Sequence, residues 1–200
     1  MNSSDNQARI VEGAARVFFP AGFHRVSMDD LAGELGMSKK TIYAHFSGKE
    51  ELLRAVLERH TREVEAGLLP LIAVPEPFPN KFRHIVHFLH SRMSVVSGQF
   101  LEDIRRHAPE CFRIIEDFRG RAIPLYFGRL FDEGVKGGYL EAGVPREILM
   151  RILVLSIQSI LRPEVMSELR LHPAAALDQI LSILMHGILT PAGRKALRSK

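Results

Sequence analysis

Two lysines, a threonine, a tyrosine, a histidine and a third lysine crowd the stretch GMSKKTIYAHFSGKEEL, Gly36 to Leu52. Lysines neutralise phosphates or reach guanine edges, and hydroxyls bond phosphate oxygens. Lys39, Lys40, Thr41 and Tyr43 therefore have the chemistry a DNA-facing surface needs. Lys49 and the Gly48 backbone stand in the first turn of the next helix, where free N–H groups and the dipole attract a phosphate. A lysine there opposes the dipole, and a bound anion would relieve the misplaced charge. A solvated surface helix carries the same residue types, so spacing alone leaves both readings open.

Such a face needs a helix held rigidly by its neighbours, and the flanking sequence supplies the signals. Ile10, Ala14, Val17 and Phe18 repeat at i, i+4, i+7 and i+8, and PAGF then ends that helix. Ser27 is a good N-cap for a second helix, with Asp29 and Asp30 in its first turn and Met28, Leu31, Ala32 and Leu35 as its inner face. Gly36 breaks that helix, and Ser38 caps a third, in which Ile42 and Phe46 face Leu31 and Leu35. Ser47 with Glu50 reads as a capping box opening a fourth helix, which runs to Pro70.

Beyond the proline-rich linker VPEPFPN, helices are expected at about 81–97, 99–107, 110–136, 145–161 and 173–189. Pro124 is expected to kink the third of these, and GVKGGYLEAG is the clearest turn cluster. No alternating strand pattern or internal repeat is present. The fold class expected is all-α.

Composition narrows the function further. The net charge of +4 does not by itself argue for nucleic acid, because residues 1–60 carry eight basic and eight acidic side chains. The tail GRKALRSK alone holds Arg194, Lys195, Arg198 and Lys200, equal to the whole excess. A single cysteine, Cys111, excludes an internal disulfide and zinc-finger spacing. No apolar run is long enough to span a membrane, and no secretory leader pattern opens the chain. A cytoplasmic protein is expected.

LAGELGMSKKTIYAHFSGKEEL resembles the helix-turn-helix signature of the TetR/AcrR family of transcriptional regulators, A-x-x-x-G-[VM]-S-x-x-T-[IL]-Y-x-H-F-x-x-K-E-x-L. Ala32, Gly36, Met37, Ser38, Thr41, Ile42, Tyr43, His45, Phe46, Lys49, Glu50 and Leu52 match it. The segment before it, ARIVEGAARVFFPAGFHRVSMDDLA, is similar to the family's first helix and its glycine-phenylalanine stop. The resemblance covers about the first 55 residues in detail and the remainder only in helix count. Lys40 is a departure, standing where many members have glycine or alanine.

The resemblance implies an N-terminal three-helix DNA-binding domain over 1–52 and a linking helix at about 48–70. It implies a helical ligand-binding and dimerisation domain over 71–190, followed by a basic tail at 191–200. Lys39 and Lys40 would meet base edges, while Ser27, Thr41, Tyr43, His45 and Lys49 would meet phosphates. Arg25 is an extra phosphate candidate by charge alone, and His45 has an alternative role as a structural hydrogen-bonding residue.

The last two helices, REILMRILVLSIQSILR and PAAALDQILSILMHGIL, are apolar around most of their circumference. A helix of that kind is buried on two sides. Ile148, Ile152, Leu155, Ile160, Leu177, Ile180, Leu181, Leu184 and Ile188 are the expected homodimer contacts, forming a four-helix bundle about a two-fold axis. A two-fold dimer implies a near-palindromic operator.

Phe88, Arg92, Met93, Phe100, Asp103, His107, Phe112, Phe118 and Tyr126 are the candidate ligand-pocket residues, with Gln99 and Arg119 as further polar groups. The resemblance implies a small-molecule effector that releases a repressor from DNA. His84, His87 and His90 at i, i+3 and i+6 have metal-ligand spacing with His107 or Cys111, but span too wide an arc, so neither metal nor cofactor is expected. The rival readings are a protein-interaction adaptor and a small all-α enzyme. No G-x-S-x-G, H-E-x-x-H, P-loop or dinucleotide motif supports the latter.

Overall fold

Two helix starts in the first third of the chain are serine caps. In the structure, a computed structural model that describes residues 3–198, α1 spans Ser3–Ala21, α2 Met28–Leu35, α3 Lys39–Tyr43 and α4 Lys49–Ala73. Ser27 accepts from the backbone of Asp30, and Asp30 returns the bond to Ser27, a full capping box. Gly36 closes α2 with φ 59°, a left-handed conformation in which a side chain would be strained. Ser38 caps α3 through Thr41 N at 3.0 Å. At α4 the partner of Ser47 is Glu51, not Glu50: its carboxylate takes both the Ser47 N–H and hydroxyl at 2.6 Å. Lys49 is the first helical residue, so Glu51 lies nearer the cap than a count from Ser47 implies.

The remaining elements are α5 (Phe78–Ser94), α6 (Gly98–His107), α7 (Pro109–Ala122), a π-helical turn (Ile123–Phe127), α8 (Gly128–Lys136), α9 (Arg146–Ile160), α10 (Pro163–Leu169), α11 (Pro173–Ile188) and α12 (Pro191–Arg198). The long helix expected over 110–136 is interrupted at Pro124. The proline's missing N–H is absorbed by one wide π turn and not by a break. Pro70 does not end α4, which continues for three residues beyond it. Lys81 then caps the helix end, donating to Ile72 O at 2.8 Å while pairing with Glu133 at 2.7 Å. The basic tail expected at 191–200 is helical through Arg198, with Thr190 Oγ1 accepting from Gly193 N at 3.0 Å.

The chain forms two compact units. The first comprises the residues up to Glu63 with Val95–Glu116. The sequence signals place a boundary near residue 52 and say nothing of α6 belonging here. Its core is Ile10, Ala14 and Phe18 of α1, Leu31 of α2, Ile42, Leu52, Leu53 and Leu57, closed by Phe100, Leu101 and Ile104 of α6. Cys111 is buried in this unit, and that burial raises its thiol pKa, away from reactivity.

The second unit comprises Val64–Ser94 and the residues from Asp117 onward. Here α5, α9 and α11 pack around Phe78, Phe82, Ile85, Leu149, Leu153, Ile157, Leu177 and Leu181. Tyr126 of the π turn is buried and donates to Glu65 of α4 at 2.7 Å, and Arg121 reaches the same carboxylate with both guanidinium nitrogens. These bonds hold the Glu65 pKa below the ordinary carboxylate value. No helix among the described residues is long and apolar enough to cross a membrane.

Candidate nucleic-acid interface

An isolated helix of five residues has no stability of its own, because nucleation costs more than one turn of hydrogen bonds returns. α3 persists because its inner side chains are anchored. Ile42 is fully buried and Phe46, just past its end, is buried beside it. Leu35 of α2 packs onto α1, where a side chain at Gly13 would collide with it. With Ile42 inward, Lys39, Lys40 and Tyr43 must point out, and Tyr43 is 45% exposed. Thr41 is half-buried, its hydroxyl 2.7 Å from that of Ser38.

Lys39 is not idle. Its ammonium meets Asp29 of α2 at 2.8 Å, and that hydrogen bond raises its pKa. The two side chains are 46% and 72% exposed, so the pair is screened by solvent and weak. It places a carboxylate on the face where phosphates would sit. Asp29→Asn is therefore expected to tighten operator binding about two- to five-fold at fixed salt, measured by fluorescence anisotropy. Unchanged or weaker binding would mean that Asp29 positions Lys39 and does not compete for it.

Lys49, expected to meet a phosphate, is engaged by backbone carbonyls in this structure. Its Nζ donates to the carbonyls of Phe23 at 3.0 Å, His24 at 3.1 Å and Val26 at 2.8 Å, and lies 4.4 Å from the centre of the Phe23 ring. Desolvation lowers its pKa, and the negative charge of Asp103 opposes that shift. All three donors are taken up by the loop between α1 and α2. The motif lysine fixes the entry into α2 and reaches no further outward.

Asp103, expected in a ligand pocket, holds the same loop from the other side. It is buried, accepts from His24 N at 2.8 Å through Oδ2 and from Gln99 at 2.7 Å through Oδ1. Gly22 (φ 93°) tolerates this approach because a Cβ there would lie 2.6 Å from that carboxylate. His107, expected beside it, stacks on His24 with ring centres 4.0 Å apart. No sequence signal announces these contacts, since the partners lie 79 residues apart.

The other expected residues scatter. Ser27 is exposed at the cap of α2, His45 is half-buried, and Arg25 is exposed. Among the pocket candidates, Phe100, Asp103, His107 and Phe112 belong to the first unit, and Phe88, Arg92, Met93, Phe118 and Tyr126 to the second. Phe88 packs on Gly67, Phe118 lies under the Arg121 guanidinium at 5.9 Å, and Tyr126 is bonded to Glu65. A small apolar cavity of about 20 Å³ in the second unit is lined by other residues, among them Phe127, Leu130, Leu153 and Leu184. His84 approaches Glu76 at 3.5 Å and His90 approaches Asp178 at 2.6 Å, and no group of three metal-ligand side chains gathers among the described residues.

The dimer candidates divide by burial. Ile148, Ile152 and Leu155 are 58%, 44% and 51% exposed, one stripe at i, i+4 and i+7 along α9. Leu177, Ile180, Leu181 and Ile188 are buried in the protomer's own core, which corrects their assignment, and Ile160 and Leu184 are half-buried. α11 packs on both α5 and α9, so the large apolar side chain it exposes is Ile183, at 69%.

The bacterial regulatory proteins of the tetR family match this chain over residues 10–56, the helices that build the α3 face. That segment matches the DNA-binding head of the tetR-family regulators. The chain is 38% identical over 64 residues to the transcriptional activator FasR of Mycolicibacterium smegmatis, a match that covers 32% of this chain and 29% of FasR. It is 28% identical over 126 residues to TtgW, an uncharacterised transcriptional regulator of Pseudomonas putida, covering 52% of this chain and 94% of that one. Its fold is similar to that of a TetR-family regulator from Agrobacterium tumefaciens, with a TM-score of 0.71 at 16% identity over 94% of this chain and all of that one. The relatives are DNA-binding transcriptional regulators, not enzymes, and the all-α fold with a helix-turn-helix head is theirs as well.

Proposed function

We propose that this TetR-family regulator is a homodimeric repressor that binds a near-palindromic operator and is released by a small-molecule effector. The observation that carries the DNA part is α3 itself. It is a five-residue helix anchored by Ile42 and capped by Ser38, whose outward side chains are Lys39, Lys40 and Tyr43. Lys39 and Lys40 would reach base edges, and Tyr43, Thr41, His45 and Ser27 phosphates. The exposed α9 stripe supports the dimer, and two-fold symmetry would place two α3 helices on successive half-sites.

The effector would bind in the second unit and act through α4, which contributes residues to both units. It must bind the DNA-free form more tightly for release to follow. Repression follows from an operator occupied without ligand, and a reporter assay separates it from activation.

Selection of duplexes from a random DNA pool tests the reading directly. A palindrome is expected, and Lys39→Ala with Tyr43→Ala should lose it. Salt-sensitive retention without a consensus would reject sequence-specific recognition by α3.

A further inference from the structure

The amphipathic α12 leaves a groove against α5 and α11 that neither DNA binding nor the α9 stripe uses. Its walls are Phe82 and Val86 of α5, Leu181 and Met185 of α11, and Leu189 and Leu197 beside α12. It is an open groove of about 260 Å³. Arg194 and Arg198, one helical turn apart, stand at its edge and are exposed. Neither takes part in an ion pair among the described residues.

The groove's charge is one-sided. Its acidic side chain, Asp178, is already met by His90 at 2.6 Å, and its second oxygen is buried without a partner, an acceptor for a donor group on a ligand. His186 also lines the groove, its Nδ1 2.8 Å from Ser182 O, and the two guanidiniums that remain suit a carboxylate in fork geometry. An apolar trough ending in two unpaired arginines is complementary to a molecule with an apolar body and one anionic head.

We propose that this groove binds an amphipathic monocarboxylate, its apolar body on Phe82, Met185 and Leu197 and its carboxylate on Arg194 and Arg198. The site is independent of the operator reading, because its occupancy is measured without DNA. Failure here would leave α3 recognition untouched, and failure of operator selection would leave this site standing.

The probes are decanoate and, as the uncharged control, decanol. Binding of carboxyl-labelled decanoate is followed by NMR on the full chain, and a photoreactive decanoate is mapped by peptide mass spectrometry. Saturable binding is expected, with crosslinks on α5, α11 and α12. The double variant Arg194→Gln, Arg198→Gln should weaken decanoate about tenfold or more while leaving decanol binding and the melting temperature unchanged. Leu197→Glu should abolish binding of both probes.

Equal decanoate affinity in the arginine variant, crosslinks confined to other helices, or no saturation below millimolar concentration would each overturn the proposal. So would occupation by a second copy, seen if Ser182→Trp turns dimers into monomers while wild type takes no crosslink.

Discussion

Lys49→Met is expected to lower the melting temperature by about 5–10 °C and to weaken operator binding by an order of magnitude or more. The ammonium answers three carbonyls of the loop between α1 and α2, and methionine fills its volume without a donor. Hydrogen bonds to a charged group are worth about 1.5–3 kcal/mol, less where water can replace the lost donor, so a net cost of about 2 kcal/mol is reasonable. The loop leads directly into the Ser27 cap of α2, so a loosened entry displaces α2 and with it the face of α3. Lys40→Ala is the contrast. It is exposed and assigned to base edges, so its loss should leave the melting temperature unchanged and relax sequence preference within each half-site. Calorimetry and salt-dependent anisotropy on both variants decide the matter. If Lys49→Met kept its melting temperature and lost only salt slope, Lys49 would be a phosphate ligand after all.

The double variant Ile148→Glu, Ile152→Glu is expected to sediment as a monomer and to bind operator at least a hundredfold more weakly. Both side chains are about half exposed in one protomer, so a partner would remove them and Leu155 from water. Burying an aliphatic side chain fully is worth about 1.5–3 kcal/mol. In a two-fold interface each substitution appears twice, so four carboxylates would face an apolar seam. A monomer that still folds binds one half-site and loses the effective concentration that joins the second. The wild-type melting temperature should rise with protein concentration and that of the variant should not. A variant that remains dimeric would move the interface off the α9 stripe.

Local signals in the first third of the chain were legible because they act within one or two turns. Ser27, Ser38 and Gly36 cap or close the helices expected of them, and Ile42 and Phe46 lie inward as their spacing requires. The outward set of Lys39, Lys40 and Tyr43 follows from that one fact. The contacts of Lys49 were not legible: its place in a first turn suggests an anion site, while the groups it meets lie 23 to 26 residues earlier. Asp103 and Gly22 were invisible for the same reason.

In the second half, apolar helices carry no mark of which face meets which neighbour. Leu177, Leu181 and Ile188 read as interface and are core, because α11 turns them toward its own protomer. The tail at 191–200 is marked in the sequence only by its basic charge, yet α12 folds and frames a groove whose walls come from three helices. By itself the sequence determined the all-α class, the caps of α2 and α3 and the chemistry of α3, since periodicity and capping are short-range properties. Only the tertiary structure decided that Lys49 and Asp103 clamp one loop, and which apolar residues of α9 and α11 remain exposed. Both depend on packing between segments far apart in the chain.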